Sequence, residues 1–234
     1  MKLAVPLLAG VGLLVFGAQL LPTALASGHP TKTPTAKHPV AKRLPPIRLS
    51  SRGGIPRAGD MAHYESVIDS SPKVIVVLKG QRRLTLLKNG QAAISFPVTL
   101  GRNPEGAKEQ RDDWRTPEGV YYVARKNPAS KYYLALHLSY PNKEDADRGL
   151  GLGLISPAQH DQIYEAVGKG SMPPQDTALG SYVEIHGRSN RLEPGPDGEP
   201  RLRGWTRGCV GLRDGDIAAI YQWTPVGTPV LLIP

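Results

Sequence analysis

Between Lys73 and Leu100 the chain reads as a succession of short strands joined by tight turns, and this spacing constrains the fold more than any other feature. Val74-Ile75-Val76-Val77-Leu78 is β-branched and apolar. A turn centred on Gly80 leads to Leu84-Thr85-Leu86-Leu87. Asn89-Gly90 is a strong hairpin signal, because both residues accept the positive φ that a two-residue turn needs. Ile94, Phe96, Val98 and Leu100 then recur at period two, with Pro97 expected at an edge or bulge. Residues 103–115 are polar and read as a loop. Thr116-Pro117-Glu118-Gly119 reads as a type I turn, followed by a strand from Val120 to Ala124. Leu134, Leu136 and Leu138 alternate with polar or small residues, which predicts a half-buried strand with His137 on the side away from the leucines, at the surface in preference to lining a cleft. Ser156-Pro157-Ala158-Gln159 has the form of a capping box with Pro at the first helical position. That helix buries Ile163, Tyr164 and Val167, and Gly168 ends it. Asp214 is expected to cap a second helix facing the core through Ile217, Ile220 and Tyr221. Residues 228–233 form a closing strand. The expected class is mainly β, a sandwich or a curved mixed sheet, with a few short helices.

The N-terminal part has a different character. Residues 1–26 read as a signal peptide: Lys2, an apolar run, then the small-x-small site Ala24-Leu25-Ala26. Cleavage after Ala26 is favoured over a retained anchor, because Pro6 and Pro22 interrupt the run. Residues 27–60 form a Pro-rich linker too poor in apolar residues to build a core. They hold seven Lys or Arg against one Asp, whereas residues 61–234 hold twenty-one against nineteen Asp or Glu. The formal net charge of +9 is therefore concentrated outside the folded domain, which is read as 61–234. A basic tail on an exported chain suits anionic envelope polymers, or serves as a solvated spacer; nucleic acid is not an expected partner.

Cys209 is the chain's single cysteine. An exported protein normally pairs its cysteines, so an unpaired thiol is either a small buried hydrophobe or a nucleophile. His186 is the candidate base. In Tyr182-Val183-Glu184-Ile185-His186-Gly187, strand alternation puts Glu184 and His186 on one face and Val183 and Ile185 on the other. A thiol paired with an imidazole is expected to ionise more readily than a free one. Other chemistries are poorly supported. The six histidines form no His-Glu-x-x-His pattern, so no metal site is expected. Neither Ser130-Lys131 nor Ser70-Ser71-Pro72-Lys73 has the context of a catalytic serine, and Gly149-Leu150-Gly151-Leu152-Gly153 reads as an irregular loop.

His186-Gly187 followed by Thr206-Arg207-Gly208-Cys209-Val210 resembles the L,D-transpeptidase catalytic domain family, the YkuD-type domains. Phe96-Pro97-Val98-Thr99-Leu100-Gly101 and Arg115-Thr116-Pro117-Glu118-Gly119-Val120-Tyr121 resemble two further motifs of that family, in the same order. Leu138-Ser139-Tyr140-Pro141-Asn142 is similar to a subgroup that includes hydrolases of wall peptides. The resemblance covers roughly residues 73–234. It implies an exported cysteine acyl-transferase acting on peptidoglycan stem peptides in the periplasm or cell envelope, without a cofactor. Cys209 would form a thioester with release of D-alanine, and His186 would act as base. Thr206, Arg207, Gly208 and Gly187 would serve the oxyanion and the substrate, with the Gly187 carbonyl orienting the imidazole and Gly208 and Cys209 supplying backbone N–H donors. The chain departs from the pattern at Arg207, where many members carry His, and at Gly211, where many carry Arg or Asn. An amine acceptor gives transfer; water gives an L,D-carboxypeptidase or peptide amidase. A non-enzymatic wall-binding module is the remaining alternative.

Overall fold

The computed structural model describes residues 58–194, 200–202, 204 and 206–234. The signal peptide, nearly all of the linker and the tip of the loop between His186 and Cys209 lie outside the described residues. Helix α1 (Ala58–Ser70) comes first, followed by β1 (Lys73–Leu78), β2 (Arg83–Lys88) and β3 (Gln91–Pro97). The turn between β2 and β3 has positive φ at both Asn89 and Gly90, the geometry that the Asn-Gly pair predicts. Pro97 ends β3 at the margin of the sheet, where its missing N–H costs no ladder bond. The next elements are β4 (Gly119–Ser130), β5 (Tyr133–Leu138), α2 (Lys143–Gly151), α3 (Pro157–Gly168) and β6 (Glu184–His186). A small hairpin of β7 (Leu192–Pro194) and β8 (Pro200–Leu202) precedes β9 (Val210–Gly211), α4 (Asp214–Trp223) and β10 (Pro229–Ile233).

Eight strands form a single mixed sheet in the order β3-β2-β1-β10-β4-β5-β6-β9, so the chain adopts the curved-sheet alternative rather than two stacked sheets. The sheet curls until its two margins nearly meet. Just beyond β3, Thr99 exchanges two backbone bonds of 2.9 Å with Gly211 of β9, and Gly101 bridges to Thr206. The main core lies inside this curl, with Ile75, Leu86, Phe96, Val123, Leu136, Ile185, Val210 and Leu232 arriving from eight different strands. Helix α4 closes it with Ile217 and Ile220. On the other face of β1 and β10, Val74, Val76, Leu231 and Ile233 pack with Tyr64 of α1. Ile163 of α3 joins Ala146 of α2 in a third cluster.

Five sequence readings are corrected. Helix α1 has no counterpart among the expected elements, and it begins at Ala58, inside the stretch read as linker. Helix α2 takes up the first part of the glycine-rich segment read as irregular; a complete capping box at Asn142 and Asp145 nucleates it. Thr116 to Glu118 forms neither a turn nor a strand. The buried Lys79 ammonium holds it, bonding the Thr116 carbonyl at 2.9 Å and the Glu118 carboxylate at 2.6 Å. Asp214 does not cap α4: it is the first helical residue, after Arg213, and its carboxylate accepts from Arg188 N–H at 2.7 Å and from Asn190 Nδ2 at 3.1 Å. His137, read as a surface residue, is buried.

Candidate active site

Strands β6 and β9 bring the two candidate catalytic residues together. They pair in parallel, with Ile185 opposite Val210 and His186 opposite Gly211. Ile185 and Val210 point into the core, so alternation turns His186 and Cys209 to the opposite, shared face. The two are diagonal neighbours, for which a Cα separation of roughly 7–8 Å is usual.

The His186 ring is held on two sides. Its Nδ1 lies 2.7 Å from the Gly187 carbonyl. A carbonyl only accepts, so Nδ1 carries the proton and Nε2 keeps its lone pair. Tyr132 stacks on the ring with centroids 4.3 Å apart and planes 22° from parallel. Burial holds the imidazole below the ordinary histidine value; the Gly187 bond opposes that shift and the nearby Lys131 adds to it. Gly187 has no room for a side chain: a Cβ would lie 2.6 Å from the Asp214 carboxylate and 2.8 Å from the Tyr132 carbonyl.

Cys209 is half-buried at the mouth of β9. Its Sγ donates to the Tyr182 carbonyl at 3.5 Å rather than to His186. Burial pushes the thiol up to about 12; the Glu184 backbone amide lowers it and the Glu184 carboxylate raises it. That shift runs against the readily ionised thiol expected from the sequence, because desolvation outweighs the groups that favour the thiolate.

The approach to Cys209 is clamped from within. Gly208 has φ of 131°, and a Cβ there would sit 2.7 Å from the Arg115 carbonyl oxygen. Its N–H donates to Thr206 Oγ1 at 3.1 Å, and that hydroxyl donates to the Cys209 carbonyl at 2.7 Å. The Gly208 N–H is thus taken up by Thr206, which braces the loop at both Gly208 and Cys209. The Cys209 N–H meets no acceptor among the described residues. Arg207 is exposed, with its guanidinium 5.4 Å above the Trp114 ring. The motifs that resembled the family one by one are here in contact. Gly101 N–H donates to Thr116 Oγ1 at 2.9 Å, Gly101 bridges Thr206, and Arg115 abuts Gly208.

Tyr132 and Tyr182 were given no role in the site by the sequence reading, and His137 was placed at the surface in preference to a cleft. His137 Nε2 lies 3.2 Å from the Glu184 carboxylate, and its ring meets Tyr182 edge-on at 5.8 Å. The signal for His137 was its pairing register with β6, which alternation within one strand does not give. Among the described residues no cluster of His, Cys, Asp or Glu could hold a metal ion.

The curled mixed sheet, with a thiol and an oriented imidazole on adjacent parallel strands, defines a Cys–His site suited to nucleophilic chemistry. The chain belongs to the L,D-transpeptidase catalytic domain family: the family model, YkuD, matches residues 72–232. It is similar to YafK of Escherichia coli strain K12, at 33% identity over 92 residues, which is 37% of each chain. Among solved structures it is similar to Bd1075 of Bdellovibrio bacteriovorus, with 26% identity, a TM-score of 0.42, and coverage of 69% of this chain and 47% of that one. The helical cell shape determining protein Pgp2 of Campylobacter jejuni, as its K307A mutant, gives 23% identity, a TM-score of 0.43, and coverage of 76% and 56%. The chain thus matches little more than a third of the curated relative and about half of these structures. The family assignment rests on the family model and not on these superpositions.

Proposed function

We propose that this chain is an exported L,D-transpeptidase acting on peptidoglycan stem peptides, with Cys209 as the acyl-carrying nucleophile and His186 as its base. The observation that supports it most is the 2.7 Å bond from His186 Nδ1 to the Gly187 carbonyl, which leaves Nε2 free to accept a proton on the face shared with Cys209. Burial keeps that imidazole neutral near pH 7, as a base must be. In the resting chain the thiol is protonated and turned to Tyr182. A bound stem peptide turns it toward Nε2, and the proton moves as sulfur adds to the carbonyl between an L-centre and the terminal D-residue. The Cys209 N–H faces the developing oxyanion. Collapse breaks the C–N bond, His186 returns the proton to the departing D-alanine amine, and a thioester remains. An amine of a second stem then forms the new C–N bond while the C–S bond breaks, and His186 passes its proton to sulfur. Arg207, steadied over Trp114, supplies positive charge for the substrate's carboxylates. The chain is exported on a leader that is cleaved after Ala26, giving a mature N-terminus at Ser27 in the periplasm or cell envelope.

Defined wall fragments bearing tetrapeptides test this reading by mass spectrometry. The wild-type chain should release free D-alanine and form cross-linked dimers. Cys209→Ser should form no thioester, and His186→Ala should turn over roughly 10²–10⁴-fold more slowly. Tripeptide and D-alanine without dimers, even at high acceptor concentration, would make the protein a hydrolase. Sedimentation on isolated walls with no turnover of any wall peptide would make it a binding module.

A further inference from the structure

Glu184 has no task in the donor half of this reaction, yet it stands beside the nucleophile. The β4–β5 register pairs Arg125 with His137, and the β5–β6 register pairs His137 with Glu184. Continuing the β6–β9 register by one residue puts Cys209 next to Glu184, at the strand spacing of about 4.8 Å. Leu136, Ile185 and Val210 of these strands point into the core. His137, Glu184 and Cys209 therefore share the face that carries His186, and the Arg125 side chain reaches the same row. His137 Nε2 lies 3.2 Å from a Glu184 oxygen and 3.2 Å from Arg125 Nη2. The Glu184 side chain is 11% exposed, and its other oxygen meets no donor among the described residues. Arg125 only donates, so His137 Nε2 accepts from it and has no proton to give the carboxylate, which is left open to an incoming donor.

Such a group hinders the first half-reaction, because its charge disfavours the Cys209 thiolate. It suits the second. An acceptor amine reaches the thioester as an ammonium ion and must lose a proton before its nitrogen can attack. The geometry points to Glu184 as the acceptor site: its carboxylate binds the ammonium of the second stem beside the Cys209 thioester and takes one proton from it. This rests on the acyl-transfer reading above. The exchange converts R–NH3+ and carboxylate into R–NH2 and carboxylic acid. The amine nitrogen then bonds the thioester carbon, the C–S bond breaks, and the second proton travels through His186 to sulfur. Glu184 gives its proton to water once the product leaves. Burial raises the affinity of Glu184 for a proton, and Lys131 and Arg125 oppose that rise, which makes it a stronger base than an exposed carboxylate.

The partition of one thioester between dimer and tripeptide tests the assignment, because that ratio does not depend on how much thioester forms. Glu184→Gln should lower the dimer-to-tripeptide ratio by roughly 10–100-fold with an ammonium acceptor. Glu184→Asp should recover part of it. Hydroxylamine, which is largely uncharged at neutral pH, should intercept the wild-type and Glu184→Gln thioesters equally. An unchanged ratio in Glu184→Gln would overturn the proposal, as would an equal loss with hydroxylamine. If Glu184→Gln does not fold, Glu184→Asp carries the comparison, and a wild-type ratio in it would overturn the proposal. A wild-type thioester that yields only tripeptide at every amine concentration overturns the acceptor site while leaving the acyl-enzyme intact. No thioester at Cys209 at all would remove both this proposal and the function beneath it.

Discussion

At the scale of single residues, the nucleophile is set by its surroundings. The Cys209 thiol is raised to about 12, chiefly by burial. A raised acid pKa means that the thiolate fraction keeps growing with pH well past the range of an ordinary thiol. At pH 7 it is about a thousandfold smaller than for a thiol with the reference value of 9.0. Alkylation by iodoacetamide in the substrate-free chain should therefore be slow at neutral pH and still rising at pH 10. A plateau below pH 8 would instead reveal a preformed thiolate–imidazolium pair. Gly208 is the second decisive position, with φ of 131° and the Arg115 carbonyl where a Cβ would go. Gly208→Ala should cost about 1–3 kcal/mol from backbone strain alone. It should reduce turnover further by moving Cys209 off its bracing by Thr206, and urea unfolding beside a turnover assay separates the two effects.

Among the elements, α1 and the short β9 carry unequal loads. Strand β9 spans Val210–Gly211 yet is bonded on both sides, to β6 and to Thr99, which holds the nucleophile's neighbours in register. Helix α1 contributes nothing to the site and covers the outer face of β1 and β10 through Tyr64. Removing residues 1–57 should leave the denaturant midpoint of the domain unchanged. Tyr64→Ala should lower its stability by about 3 kcal/mol, because a large buried ring is replaced by a cavity. Truncation through Ser70 should expose Val74, Val76, Leu231 and Ile233 and produce aggregation. A soluble, cooperatively melting chain starting at Lys73 would show that α1 is dispensable.

Across the whole molecule, charge is segregated. Residues 27–60 carry seven cations and one anion, while residues 61–234 are nearly balanced. If that stretch attracts anionic wall polymers, deleting residues 27–57 should weaken sedimentation on isolated walls at low salt. Raising the salt should bring the full chain down to the truncated level, since screening removes attraction between exposed charges. Turnover of small soluble peptides should not respond to the deletion. Equal wall binding by both forms at low salt would make the stretch a plain spacer.

Local chemistry is what the sequence by itself determined. The Asn89-Gly90 hairpin, the period-two strands and the Ser156 capping box each depend on neighbours a few residues apart, and each stands where it was read. The lone Cys209 and the His186-Gly187 pair were legible for a related reason: the chain has a single cysteine, and His186 ends an alternating strand pattern. Helix α1 escaped because Met61, Tyr64, Val67 and Ile68 find their packing on a sheet face assembled from β1 and β10, which lie at opposite ends of the domain sequence. His137 was misplaced because alternation separates the two faces of a strand, but only the neighbouring strands and the Tyr182 ring decide whether the second face is covered. The Arg125–His137–Glu184–Cys209 row joins β4, β5, β6 and the mouth of β9, so it exists only once their registers are fixed. The ionisation of the thiol was likewise decided by the tertiary structure. Desolvation depends on everything packed around a group, and that burial reversed what the Cys–His pair alone would imply.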